Sequence, residues 1–148
     1  MSGYEQFQSS YEQDSDQLFH EFSKLPEDKL LEIITNRLEH KYGIWQGRDN
    51  YQIWRAIGIK GTQQSIQPLF DIVSNLKNDY LIRYHASDAL FRIAGIRDKN
   101  IKEKILFGRD ENKNPVDQTE AFRDLEQILK FKITDLKIRN KRAWWKFW

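Results

Sequence analysis

The sequence predicts an all-α protein. The expected form is a short α-solenoid of antiparallel helix pairs, about three of them, preceded by a short N-terminal helix. Three observations predict it. In residues 78–98, "NDYLIRYHASDALFRIAGIRD", apolar side chains fall at Ile82, Ala86, Ala89, Leu90 and Ile93, the spacing of a helix with one buried face. No stretch shows the alternation of β-branched residues that marks a strand. A helix–turn–helix order recurs over 26–60, 63–95 and 99–140, with Ala56-Ile57 and Ala89-Leu90 at similar points 33 residues apart.

Taken in order, residues 1–15 are Gln, Ser, Glu and Tyr without period and are expected to form a disordered acidic tail. Tyr4, Phe7 and Tyr11 would share a face if this tail became helical on binding. A short helix is expected over 16–23. Pro26 marks a new start, with Glu27 and Asp28 suited to a first turn. Leu30, Leu31, Ile34 and Leu38 make the stripe of that helix, which Gly43 closes. After a loop, a helix over about 50–60 carries Ile53, Trp54, Ala56 and Ile57.

The next helix, over about 63–77, carries Ile66, Leu69, Phe70, Val73 and Leu76, with Pro68 in its first turns. The helix of residues 78–98 is ended by Gly95, which reaches the left-handed cap without steric cost. A short helix over 99–107 carries Ile101, Ile105 and Leu106. A polar loop follows. Asp117 and Glu120 have capping-box spacing for a long last helix, about 117–140, with Phe122, Leu125, Leu129, Ile133 and Leu136 on one face.

The chain is 148 residues long, enough for one domain with a core, here expected over 16–140. It has no cysteine, which removes disulfides and thiolate chemistry. No apolar run is long enough to span a bilayer, and the acidic start does not read as a secretory signal, so a cytoplasmic location is expected. The net charge of +2 is unevenly placed. Residues 1–28 carry seven carboxylates against Lys24, and residues 130–148 carry seven basic side chains against Asp135.

"AIGIKGTQQSIQPLFDIV" followed by "YLIRYHASDALFRIAG" resembles a HEAT-type repeat, including the short variety of phycobiliprotein-lyase-like proteins. The matching positions are Gly58 and Gly61 in the turn, then Ile66, Pro68 and Leu69 in the first helix. In the second helix they are Asp79, Ile82, Arg83, Ala86, Ala89, Leu90 and Gly95. The resemblance covers about 50–95 and implies a right-handed solenoid whose repeats form a protein-binding surface. It implies that Arg83 pairs with carboxylates, or else binds a partner together with its neighbour Tyr84. It also implies an alternative function, a subunit of a phycobilin lyase-type or chaperone-like factor for a chromophore protein.

Catalytic and metal-binding sets are not found. His20, His40 and His85 fall in different helices and lack the i, i+4 pairing of helical zinc sites. His85 is expected to be a half-buried structural side chain. There is no phosphate-binding glycine loop. No cofactor and no enzymatic activity are expected.

The end, "KIRNKRAWWKFW", places Trp144, Trp145, Phe147 and Trp148 among the last five residues, with Lys141, Arg142 and Lys146 around them. This basic aromatic tail, 141–148, has three readings. It caps the open end of the solenoid, it docks another protein through Trp and Arg anchors, or it lies on an anionic membrane surface. Nucleic acid is disfavoured by the balanced overall charge. The expected function is a non-enzymatic protein-interaction module, an adaptor, scaffold or assembly factor. Its partner is another protein, engaged through the helical repeats and through Arg142, Trp144, Trp145, Lys146, Phe147 and Trp148.

Overall fold

The computed structural model of the chain describes residues 16–36 and 51–145, with side chains to Thr35 in the first stretch and to Thr134 in the second. The expectations for residues 1–15, for Leu38, His40 and the loop at Gly43, and for residues 146–148 lie outside the described residues. All regular secondary structure among the described residues is helical. The chain divides into two compact units, Met1–Gly61 and Thr62–Trp148.

The first unit holds α1 (16–23), α2 (Glu27–Asn36) and α3 (Tyr51–Lys60). Pro26 starts α2 as expected, its carbonyl accepting from the N–H groups of Lys29 and Leu30, both at 3.1 Å. The buried face of α2 is Leu30, Ile33 and Ile34, whereas Leu31 is half-buried. Phe22, Ile53, Trp54, Ala56 and Ile57 are also buried. Gly58, expected in a turn, lies buried inside α3. The helix continues past it, and Gly61 still donates to the Ile57 carbonyl at 2.7 Å. Lys60, the last residue of α3, donates from Nζ to the carbonyls of Ser23 and Leu25. Those oxygens lie at and just beyond the end of α1, where a helix leaves its carbonyls without partners of its own. The ammonium there also opposes the negative end of the helix dipole.

The second unit opens with a 3₁₀ turn (Gln63–Ser65) and holds α4 (Ile66–Ser74), α5 (Tyr80–Ala94), α6 (Lys99–Phe107) and α7 (Gln118–Trp145). Its densest packing is between α4 and α5, then between α6 and α7, and α5 also meets α6 and α7. Pro68 is the third residue of α4, where its missing N–H would have no helical partner anyway. The expected helix over 63–77 is shorter than predicted, and asparagines are the reason. Asn75 leaves helical geometry at φ −88° and ψ 101°. Its Oδ1 accepts the Lys77 N–H at 3.0 Å, an Asx turn that competes with the next helical bond. Asn78 Nδ2 caps the Ile72 carbonyl at 3.0 Å. Leu76, predicted on the buried stripe, is consequently 56 % exposed.

In α5 the buried face is Arg83, Ala86, Ser87, Leu90, Phe91 and Ala94, joined by Ala89. Ile82 and Ile93, predicted in the stripe, are half-buried. Gly95 ends α5 at φ 71°, with its N–H on the Phe91 carbonyl. Asp98 caps α6 by accepting the Asn100 N–H at 2.9 Å, and Gly108 ends it at φ 64°. The loop after α6 is tied by Asp110 Oδ1, which accepts from the N–H groups of Asn112 and Asn114, each at 2.9 Å. Asp117 begins α7 by accepting the Thr119 N–H at 2.9 Å. From there α7 buries Ala121, Leu125 and Leu129, while Phe122 and Ile133 are half-buried. It runs to Trp145, beyond the expected end at 140, so the backbone of 141–145 continues α7 instead of starting a separate segment.

Candidate interaction surface

Two neighbouring residues of α5 differ in burial. Arg83 is 6 % exposed and points into the second unit. Its Nε donates to the Val73 carbonyl at 2.9 Å and its Nη2 to the Ile105 carbonyl at 2.8 Å. Both oxygens belong to the last turn of a helix, α4 and α6 respectively, so the cation meets the negative ends of two helix dipoles. The guanidinium carbon also lies 5.9 Å from the centre of the Phe122 ring in α7. Burial lowers the pKa of Arg83 and the neighbouring Tyr80 opposes this, but a guanidinium stays protonated at neutral pH. The expectation of carboxylate pairing is therefore corrected: among the described residues its hydrogen-bond partners are main-chain oxygens. Burial also removes Arg83 from the surface that a partner would touch.

Tyr84 is half-buried and belongs to a strip of rings on the outside of the same unit. Tyr80, the first residue of α5, lies 6.2 Å from Tyr84, one turn on, and 5.6 Å from Phe107, the last residue of α6. Tyr80 and Phe107 are 40 % and 46 % exposed. Exposed rings in contact with one another are unusual for a surface that serves only solvation. Two cations edge the strip. Lys102 Nζ sits 4.3 Å from the Tyr84 ring centre and pairs with Asp88. The Arg109 guanidinium sits 4.9 Å from the Phe107 ring centre, and its Nε donates to Glu103 at 3.1 Å. Both arrangements place positive charge over the negative ring face.

His85 meets the edge of the Tyr84 ring, with ring centres 5.4 Å apart. Burial lowers its pKa, Asp88 opposes this and Lys102 adds to it. It is half-buried as expected. Among the described residues no group of three or more His, Asp or Glu side chains is placed to hold a metal ion. No described helix is long and apolar enough to cross a membrane.

Of the predicted site residues, only Tyr84 falls on this strip. Arg142, Trp144 and Trp145 have their backbone in α7, and their side chains lie outside the described residues, as do Lys146, Phe147 and Trp148 altogether. Sequence reasoning missed Tyr80, Lys102, Phe107 and Arg109. The Tyr80–Tyr84 spacing of four was the available signal. Phe107 was not recognisable, because its neighbours Ile105 and Leu106 are buried and it reads as one of them. Comparison with known protein families, with curated proteins and with solved structures found no match to this chain.

Proposed function

We propose that the chain is a non-enzymatic protein-interaction module, an adaptor or assembly factor. Its consecutive helices are read as antiparallel pairs of a short, HEAT-like solenoid. One observation carries the reading: the contiguous ring strip Tyr80–Tyr84–Phe107, exposed at Tyr80 and Phe107 and half-buried at Tyr84, bordered by Lys102 and Arg109. Aromatic and arginine side chains are the residue types that most often anchor interfaces. The buried part of the second unit supports this use, since α5 and α6 are joined through Arg83 and hold the rings in a fixed relation.

The test uses the full chain as bait in extract from its own cells, beside Tyr80→Ala/Phe107→Ala and a chain ending at Arg142. A purified partner retained by the full chain should bind it directly and slow amide exchange in 80–88 and 99–109. A partner that binds both the full chain and the ring variant equally would place the interface elsewhere. Loss of binding only in the chain ending at Arg142 would assign it to the C-terminal aromatics.

A further inference from the structure

The cations toward the end of α7 outnumber the carboxylates near them. Lys130 pairs with Glu126 at 3.0 Å. Beyond it, residues 131–148 hold Lys132, Lys137, Arg139, Lys141, Arg142 and Lys146 against one carboxylate side chain, Asp135. Pairing along the helix can therefore neutralise only one of these charges. The same stretch carries an apolar line. Phe131 is 76 % exposed, more than any other large apolar side chain among the described residues. From there α7 continues as one helix to Trp145. Positions 131, 138 and 145 follow one another along one side of it, drifting only about 20° per seven residues. They are Phe131, Ile138 and Trp145, and the line is about 21 Å long. Positions 141 and 142, one turn before Trp145, fall on either side of this line, and positions 137 and 139 lie further round on either flank. All four are Lys or Arg.

We propose that this side of α7 binds the surface of an anionic phospholipid membrane. The apolar line enters the headgroup region, a depth that Trp favours, and the flanking cations meet the anionic headgroups. Long Lys and Arg stems let charges on both flanks reach one plane of headgroups. With this charge density the helix lies in the interface and does not enter the hydrocarbon. The excess of one sign of charge disfavours a second copy, which would bring two basic stretches together. Ile138 in the middle of the line disfavours single-stranded nucleic acid, whose bases stack on rings. The inference does not depend on the docking role of the ring strip.

The experiment measures co-sedimentation of the full chain with vesicles of phosphatidylcholine alone and of phosphatidylcholine with phosphatidylserine. Beside it run Phe131→Ala, Lys137→Gln/Lys141→Gln/Arg142→Gln, and Lys77→Gln/Arg92→Gln/Lys99→Gln, which removes the same charge from exposed positions elsewhere in the second unit. The full chain should bind the phosphatidylserine vesicles, and binding should fall roughly tenfold in the α7 charge variant. It should fall several-fold in Phe131→Ala, weaken as salt rises, and hold in the third variant. Phe131→Ala alters an exposed side chain and keeps the test valid if the charge variant loses helix. Equal binding to both vesicle types, or none to either, would overturn the proposal. So would equal losses in the two charge variants, or full binding by Phe131→Ala. Retention of poly(U) or of poly-glutamate without vesicle binding would overturn the partner class, and a dimer lost in Phe131→Ala, again without vesicle binding, would give this face to a second copy.

Discussion

The Arg83 guanidinium donates to the Ile105 carbonyl at 2.8 Å, joining the middle of the second unit to the last turn of α6. The same group takes the Val73 carbonyl at the end of α4. One side chain thereby reaches an acceptor on each of two helix ends, and the Ile105 carbonyl shares its second lone pair with Gln118 Nε2 at 3.2 Å. Leaving such acceptors unpaired costs about 1–3 kcal/mol each. Arg83→Met, which leaves the Val73 carbonyl without its donor, should therefore lower the stability of the second unit by about 1–3 kcal/mol, read from urea denaturation. Arg83→Lys, able to reach only one oxygen, should lose less.

A pair of large-to-small changes separates core from surface. Leu90 is fully buried and Phe131 is 76 % exposed. Leu90→Ala should lower stability by about 2–5 kcal/mol. Phe131→Ala, which removes a larger side chain, should shift it by no more than about 0.5 kcal/mol. Equal losses in thermal melting would mean that Phe131 is covered in solution.

The two left-handed caps should not respond alike. Gly95 and Gly108 both have positive φ, so an added Cβ strains each by about 1–2 kcal/mol. At Gly95 an added Cβ meets open space. At Gly108 it would lie 3.3 Å from Cγ of Gln118, whose Nε2 donates to the Ile105 carbonyl at 3.2 Å. Gly108→Ala should accordingly lower the melting temperature more than Gly95→Ala.

His85 gives stability a sign with respect to pH. Its folded pKa lies below the ordinary value because burial disfavours the imidazolium, with Asp88 opposing and Lys102 adding. The folded chain then binds fewer protons at this site than the unfolded chain. The stability it contributes is present above the unfolded value of about 6.5 and is lost as pH falls through it toward the depressed folded value. Over that window the melting temperature of His85→Gln should fall less than that of the unaltered chain.

The helical class and most element boundaries were legible because they rest on local signals. Gly95, the Asp117 cap and Pro26 each act within one turn of their own position. The face of α5 was not legible, and the reason is Arg83. A stripe built from apolar residues alone runs through Ile82, Ala86, Leu90 and Ile93. The buried face runs through 83, 86, 87, 90, 91 and 94, with a charged and a hydroxyl residue inside it. A cation is placed in the interior only when distant carbonyls receive it, and those lie 10 and 22 residues away. The end of α4 was missed for a related reason: Asn75 and Asn78 stop the helix through side-chain bonds that hydrophobic spacing does not register. Of the candidate surface, Tyr84 alone was anticipated, since Phe107 joins Tyr80 only once α6 lies beside α5.

The partners of Arg83 are backbone oxygens, and a backbone oxygen is present whatever residue supplies it. The bonds place no demand on the side-chain chemistry at 73 and 105 beyond apolar fit. Substitution tolerance across the unit should be lopsided as a result. Saturation mutagenesis scored by folding should show position 83 accepting almost nothing but arginine, while Val73 and Ile105 accept other aliphatic residues. Through this one side chain of α5, the ends of α4 and α6 are tied to a single position in the sequence.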